Sequence, residues 1–146
     1  MKYLRFIIMF IVFVGMIIFL KKTGTEEYAE KNKVLKNGVV FEGTVTDIKI
    51  SRNHSFGILN LNIVNSNVQD FSKKLEKGIY PYQIKGKQAE IYLPIFAERQ
   101  IGDSVKVISD KEIIYYNGKK SKDEGDVYII TNSADIAFVK ENTIFK

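Results

Sequence analysis

Residues 6–20, FIIMFIVFVGMIIFL, form a run of fifteen residues without a polar side chain. Two basic residues precede the run, and two lysines follow it. An α-helix of this length rises about 22 Å, whereas the hydrocarbon core of a bilayer is about 30 Å thick. Arg5 and Lys21 can extend their charged ends toward the two interfaces. The sequence therefore predicts a short transmembrane anchor over residues 1–22.

A cleaved signal peptide is the alternative interpretation of this segment, because its apolar region also has about 15 residues. Such a peptide ends at a cleavage site with small residues, whereas Lys21 and Lys22 end the run here and no good small-residue pair follows. An uncleaved anchor is therefore favoured. The basic residues on the two sides do not decide the orientation. An N-terminal anchor most often acts as an export signal, which favours a periplasmic or otherwise extracytoplasmic C-terminal domain.

The composition limits the classes of partner. The chain has no cysteine, which excludes disulfides, thiolate metal sites and a lipoprotein anchor. Its formal net charge is +5, but the lysines are scattered and mixed with acidic residues instead of following one face. Nucleic acid is therefore not expected as a partner. The richness in Lys, Ile, Asn, Tyr and Phe fits an AT-rich bacterial genome.

A polar stalk is predicted over residues 23–37 and a small domain over residues 38–146. From Val39 the apolar period is two, and it changes phase before Ile48, which predicts a β-bulge near Thr46 and Asp47. A second strand also changes phase, at Gly57 to Leu59, where the glycine permits a bend. Two long bent strands in a hairpin are typical of small barrels.

The remainder of the domain is predicted as one short helix and further strands. The helix is expected between Asn65 and Gly78, with Asn67 as its N-cap and Phe71 and Leu75 on one face. Strands are expected at residues 82–85, 88–93, 105–108, 113–116, 127–130 and 136–139, with a charged loop at 117–126. The predicted fold class is mainly β: a transmembrane helix and a small barrel of about seven strands.

Two short patterns resemble those of OB-type and related small barrels. They are Gly43-x-Val45-x-x-Ile48 in the first strand and Gly102-Asp103-x-Val105-x-Val107 later in the chain. Glycine permits a tight bend, and Asp103 stabilises a turn into a strand. The resemblance implies an OB-like or SH3-like barrel, whereas the strand pattern alone also fits a sandwich and leaves the strand order open.

Candidate binding residues lie at two places. Arg52, Asn53 and His54 occupy the predicted tip of the first hairpin, and rigidly supported loops often carry recognition. Tyr115 and Tyr116 are adjacent in a predicted strand, so one of them faces outward. An exposed tyrosine suits stacking on a sugar or contact with a protein.

No catalytic, cofactor or metal signature is present in the sequence. His54 has no nearby carboxylate partner, and Asp123 to Asp126 lacks the ligand spacing of a calcium loop. We therefore expect a non-catalytic binding module of the bacterial cell envelope, with a protein or glycan as partner. The alternatives are a secreted inhibitor or immunity-type protein released by signal cleavage and, less favoured, an oligonucleotide-binding barrel.

Overall fold

The computed structural model describes residues 2–145, with the backbone alone for residues 2–5, 23 and 25–32. The chain divides into two compact units, Met1–Val34 and Leu35–Lys146. The first unit contains a long helix, α1 (Lys2–Asn32). The second contains the strands described below and the helix α2 (Ser133–Asn142).

Helix α1 presents apolar side chains to solvent on every face. The large apolar residues from Phe6 to Leu20 are between 36% and 69% exposed. The helix continues to Asn32, so most of the predicted stalk is helical. In the part of the chain that the structure describes, no helix is at once long enough and apolar enough to cross a membrane.

The second unit is built on one antiparallel sheet with the strand order β3-β4-β5-β2-β1-β6-β7-β8. The strands are β1 (Val40–Ile50), β2 (Phe56–Ser66), β3 (Asp70–Phe71), β4 (Tyr82–Lys85), β5 (Gln88–Pro94), β6 (Ser104–Ile108), β7 (Ile113–Asn117) and β8 (Lys122–Asp126). The mainly β prediction is therefore confirmed.

The prediction of a closed OB-like or SH3-like barrel is wrong, because the sheet is open. Its two edges are β3, which has only two residues, and β8, whose sequence KDEGD is almost entirely charged. A strand this short offers little backbone to pair with, and a charged strand is a common way to keep an edge unpaired. The predicted charged loop at 117–126 is thus half strand, whereas residues 127–130 lie outside the strands apart from one bridge between Ile79 and Ile130.

The first hairpin contains the predicted bulge. The register between β1 and β2 shifts between Val45 and Asp47, which leaves Thr46 without an opposite residue. The bend predicted in β2 is not the cause of its phase change. Strand β2 pairs with β5 without a register shift from Phe56 to Asn62. Residues of both phases are apolar there because both faces of the sheet are covered.

One face of the sheet carries the larger core. Its buried side chains come from neighbouring strands and include Phe41, Leu59, Leu61, Tyr82, Ile91, Val105 and Ile114. Helix α2 covers the opposite face, where Val139 packs in one cluster with Phe56, Ile58, Tyr92 and Ile130. A row of polar residues also crosses this second face, because Asn60 lies opposite both Asp47 and Glu90, and Glu90 lies opposite Gln83.

Two helix and strand predictions are wrong. Asn67 does not cap a helix between residues 65 and 78; its side chain binds Val40 N at 2.8 Å and Gly38 O at 2.6 Å, which ties the end of β2 to the start of β1. The predicted strand at residues 136–139 belongs to α2, whose N-cap Asn132 accepts hydrogen bonds from Ala134 N and Asp135 N. An asparagine cap followed by an acidic first turn favours helix, and this signal outweighs a weak period of two.

Candidate functional site

A cleft of about 470 Å³ opens between helix α2, the segment 72–79 and the surface of β4 and β5. Ligand sites in proteins typically occupy about 300 to 1,000 Å³, so the cleft has the size of a small-molecule site. The residues that line it are Ser72, Lys73, Lys74, Leu75, Glu76, Gly78, Ile79, Tyr80, Tyr82, Gln83, Tyr92, Ile136, Val139, Lys140 and Thr143.

The cleft has an apolar wall and a basic outer part. Leu75, Ile79 and Ile136 are half-buried, and Val139 is buried in the cluster under α2. Lys73, Lys74 and Lys140 are exposed. The cap at Asn132 and the packing of Val139 against the sheet fix the position of α2, and thereby bring Lys140 to the same opening as the lysines of the segment 72–79.

Glu90 lies on β5 next to the cleft and is completely buried. Its Oε2 accepts hydrogen bonds from the hydroxyls of Tyr92 at 2.8 Å and Thr143 at 2.5 Å, and its Oε1 accepts one from Ile144 N at 2.9 Å. These three donors are what makes a buried carboxylate tolerable without a cation. Burial and, secondly, the negative charge of Glu90 raise the pKa of the Tyr92 hydroxyl far above its usual range.

Tyr80 and Tyr82 are fixed by a second group of hydrogen bonds. Ser109 Oγ donates to the carbonyl of Leu35, so the Tyr82 hydroxyl is the donor in its 2.8 Å bond with Ser109 Oγ. Asn37 Nδ2 donates to the Tyr80 hydroxyl at 2.6 Å. Burial, followed by the hydrogen bond with Tyr82, raises the pKa of Tyr80 far above its usual range. These hydrogen bonds hold both rings in place beside the cleft, and the Tyr80 hydroxyl keeps its proton.

The arrangement suits binding. The oxygens of Glu90 point to protein donors, so this carboxylate is engaged in holding the fold. Among residues 2–145, as far as their side chains are described, no group of three His, Asp or Glu residues could hold a metal ion. What the cleft offers to a ligand is an apolar wall and the ammonium groups of its lysines.

The loop residues predicted as binding residues lie at the tip of the β1–β2 hairpin. Arg52 and His54 are exposed there, and His54 adopts a left-handed conformation with φ of 46°. Asn53 Nδ2 donates a 2.8 Å hydrogen bond to Asp135 Oδ1 at the start of α2. The loop therefore fixes the N-terminal end of α2, and none of its three candidates lines the cleft.

The two predicted tyrosines differ in exposure, as the alternation of a strand requires. Tyr115 is half-buried and Tyr116 is buried. The Arg99 guanidinium carbon lies 3.5 Å from the centre of the Tyr116 ring, and Arg99 also pairs with Asp123 at 2.9 Å. Burial raises the pKa of Tyr116 far above its usual range, although the charge of Arg99 opposes the shift. Tyr116 is thus a core residue, and neither tyrosine lines the cleft.

Sequence reasoning missed the residues of the cleft, for two reasons. The segment that carries Lys73 and Lys74 was expected to be helical, and residues 136–139 were expected to form a strand, with Lys140 directly after it. The Lys73-Lys74 pair beside Leu75 is a basic and apolar combination that could have drawn attention. Nothing in the sequence connects it with Lys140, which only the packing of α2 brings near.

No protein-family model matches this chain, and neither a curated protein nor a solved structure is significantly similar to it. The functional argument therefore depends on the chain's own residues.

Proposed function

We propose that this chain is a membrane-anchored, non-catalytic binding module of the bacterial cell envelope. The observation that carries the proposal is the exposure of every large apolar side chain from Phe6 to Leu20 on α1. Removing a side chain such as Phe or Ile from water stabilises by about 1.5–3 kcal/mol. A helix with this many uncovered apolar residues is unstable in water and stable in lipid.

The apolar surface of α1 extends around the whole helix, which favours insertion of the helix into the membrane over binding parallel to its surface. A helix in the plane of the interface needs a polar face, and residues 6–20 have none. The run is shorter than the roughly 20 residues of a standard crossing. We propose that Lys21 and Lys22 extend toward the headgroups and that the bilayer thins locally around the short helix.

The second unit supplies the binding function in this proposal. It has its own buried core and presents the cleft, whose lining residues all belong to it. The residues of the cleft offer contacts and charge, whereas the buried carboxylate nearby is committed to Thr143 and Ile144. These features support binding of a ligand without turnover.

The test is fractionation of the natively expressed chain, with intact mass and protease accessibility. We expect the full-length mass in the membrane fraction, resistance to extraction by alkaline carbonate, and trimming of the second unit when protease is added to spheroplasts. Ile11→Lys places a charge in the middle of the apolar run and should release the chain from the membrane. Val64→Lys is the matched control, because Val64 is 72% exposed on β2.

A soluble species shortened at its N-terminus would overturn the anchor and support the secreted inhibitor. Equal membrane retention of the Ile11→Lys and Val64→Lys variants would also contradict the proposal, because attachment would then not depend on the apolar run.

A further inference from the structure

We propose that the cleft binds a single-chain anionic amphiphile, an acyl chain that ends in a carboxylate, with the chain against the apolar wall and the carboxylate at the lysines. This inference rests on the proposed function only in treating the second unit as a binding module; it does not need the membrane anchor. Its ligand differs from the protein or glycan expected from the sequence.

The apolar wall is the first support. Leu75 and Ile79 from the segment 72–79 face the same cleft as Ile136 and Val139 from α2. Ile79 and Ile136 also pack on the cluster of Val139, so this wall is continuous with a rigid core. A volume of about 470 Å³ suits one chain better than the two chains of a phospholipid.

The charge around the cleft is the second support. Three lysines line it, at positions 73, 74 and 140, and Glu76 is the single acidic residue among the lining residues that the structure describes. The excess of positive charge is complementary to an anion. Lysine side chains also carry apolar stems, which can cover an acyl chain while the ammonium groups stay in water.

The inner part of the cleft orients the ligand. The Tyr92 hydroxyl and the Thr143 hydroxyl both donate to Glu90. Each hydroxyl has a single hydrogen, so both donors are occupied, and the negative charge of Glu90 lies directly behind them. A carboxylate at this end would be repelled, so the anionic end of the ligand belongs at the lysines.

The experiment is photolabelling of the full-length chain, taken from whichever cell fraction contains it, with a diazirine derivative of dodecanoic acid. The labelled positions are mapped by peptide mass spectrometry. We expect labels on the segment 72–79 and on α2, and roughly tenfold less labelling with the uncharged dodecanol derivative. Labels confined to residues 6–20, or equal labelling by the acid and the alcohol, would overturn the inference.

Matched variants separate the cleft from general charge. The triple change K73Q, K74Q and K140Q should lower the labelling of the cleft by about tenfold, because it removes the three positive charges that attract the carboxylate. The change K119Q, K120Q and K122Q removes the same charge around the β7–β8 turn and should leave the labelling unchanged. Equal losses in the two variants, or preferential labelling by a photoreactive phosphatidylglycerol, would overturn the inference.

The two proposals fail in distinguishable ways. A soluble chain that is labelled in the cleft contradicts the anchor alone, whereas a membrane-bound chain without cleft labels contradicts the acyl ligand alone.

Discussion

The hydroxyl of Tyr92 donates a 2.8 Å hydrogen bond to Oε2 of Glu90, two residues before it on the same strand. Thr143, from the segment that follows α2, donates to the same oxygen at 2.5 Å. A buried carboxylate on β5 therefore joins the sheet to the end of the chain beside the cleft. Because Val139 lies one helical turn before Thr143, this bond and the apolar cluster together hold the C-terminal half of α2.

Thr143→Val should destabilise the second unit by about 1–3 kcal/mol, because the buried charge of Glu90 loses one of its donors. Phe145 N, which donates to Thr143 Oγ1 at 3.1 Å, loses its acceptor at the same time. The measurement is the free energy of unfolding in urea. Thr131→Val is the control, since Thr131 is exposed before α2. Equal stabilities of the two variants would show that Glu90 does not depend on this hydroxyl.

The stability of the second unit should fall steeply in alkali because of its buried tyrosines. Burial raises the folded-state pKa of Tyr80, Tyr92 and Tyr116, whereas an unfolded tyrosine titrates near about 10. Below about pH 9 the tyrosines keep their protons in both the folded and the unfolded state, so these groups do not make the stability depend on pH. As the pH rises further, the unfolded state ionises first, so stability is lost progressively toward the folded-state pKa.

Tyr92→Phe tests this pH dependence at a single residue. The variant should lose stability with pH less steeply, by up to about 1.4 kcal/mol per pH unit for the one proton involved. The measurement is the free energy of unfolding between about pH 9 and pH 11, where the unfolded tyrosine titrates. The slope, and not the stability at neutral pH, is the readout, because the variant also removes the hydrogen bond to Glu90. A slope identical to that of the parent chain would contradict a raised pKa of Tyr92 in the folded state.

Arg99→Lys should destabilise the second unit by about 1–3 kcal/mol. The Arg99 side chain is 3% exposed, lies over the Tyr116 ring and binds both Asp123 and Ser121. A lysine keeps the charge but lacks the planar fork, so it cannot stack and bind both partners at once. The free energy of unfolding is the measurement, and Arg52→Lys at the exposed hairpin tip is the matched control. Similar losses for both substitutions would rule out a specific role of the guanidinium.

Local patterns in the sequence predicted those features that depend on neighbours in the chain. The phase change after Val45 predicted the bulge, and the polar turn of residues 51–55 predicted the first hairpin, because both signals are carried by consecutive residues. The second phase change, in β2, was misread as a bend. The sequence of β2 alone does not show that α2 covers one of its two faces. A strand that is apolar on both faces therefore looked the same as a strand with a bend.

The features that sequence reasoning missed depend on residues far apart in the chain. Asparagine is a residue type that often caps helices, but the Asn67 side chain instead forms hydrogen bonds with Val40 and Gly38 at the start of β1. Strand β8 lies at the edge of the sheet, where charged side chains suit a strand that has a partner on one side only. It therefore lacks the apolar alternation by which a strand is predicted from sequence. The cleft likewise combines Lys73 with Lys140, and only the folded chain brings them to one opening.

Gly57→Ala should prevent correct formation of the first hairpin or destabilise it by about 1–3 kcal/mol, as overpacking does in a close-packed core. A Cβ at Gly57 would collide with the backbone oxygen of Lys49 and lie 2.6 Å from Ile95 Cδ1. The backbone of β1 cannot withdraw without breaking its pairing with β2. Circular dichroism and urea unfolding measure the effect. Gly125→Ala in β8 is the control, because its Cβ would meet Ile114 Cγ2 at an ordinary 3.4 Å. Its stability should stay within about 0.5 kcal/mol of the parent, and a tolerated Gly57→Ala would contradict the tight approach of Lys49.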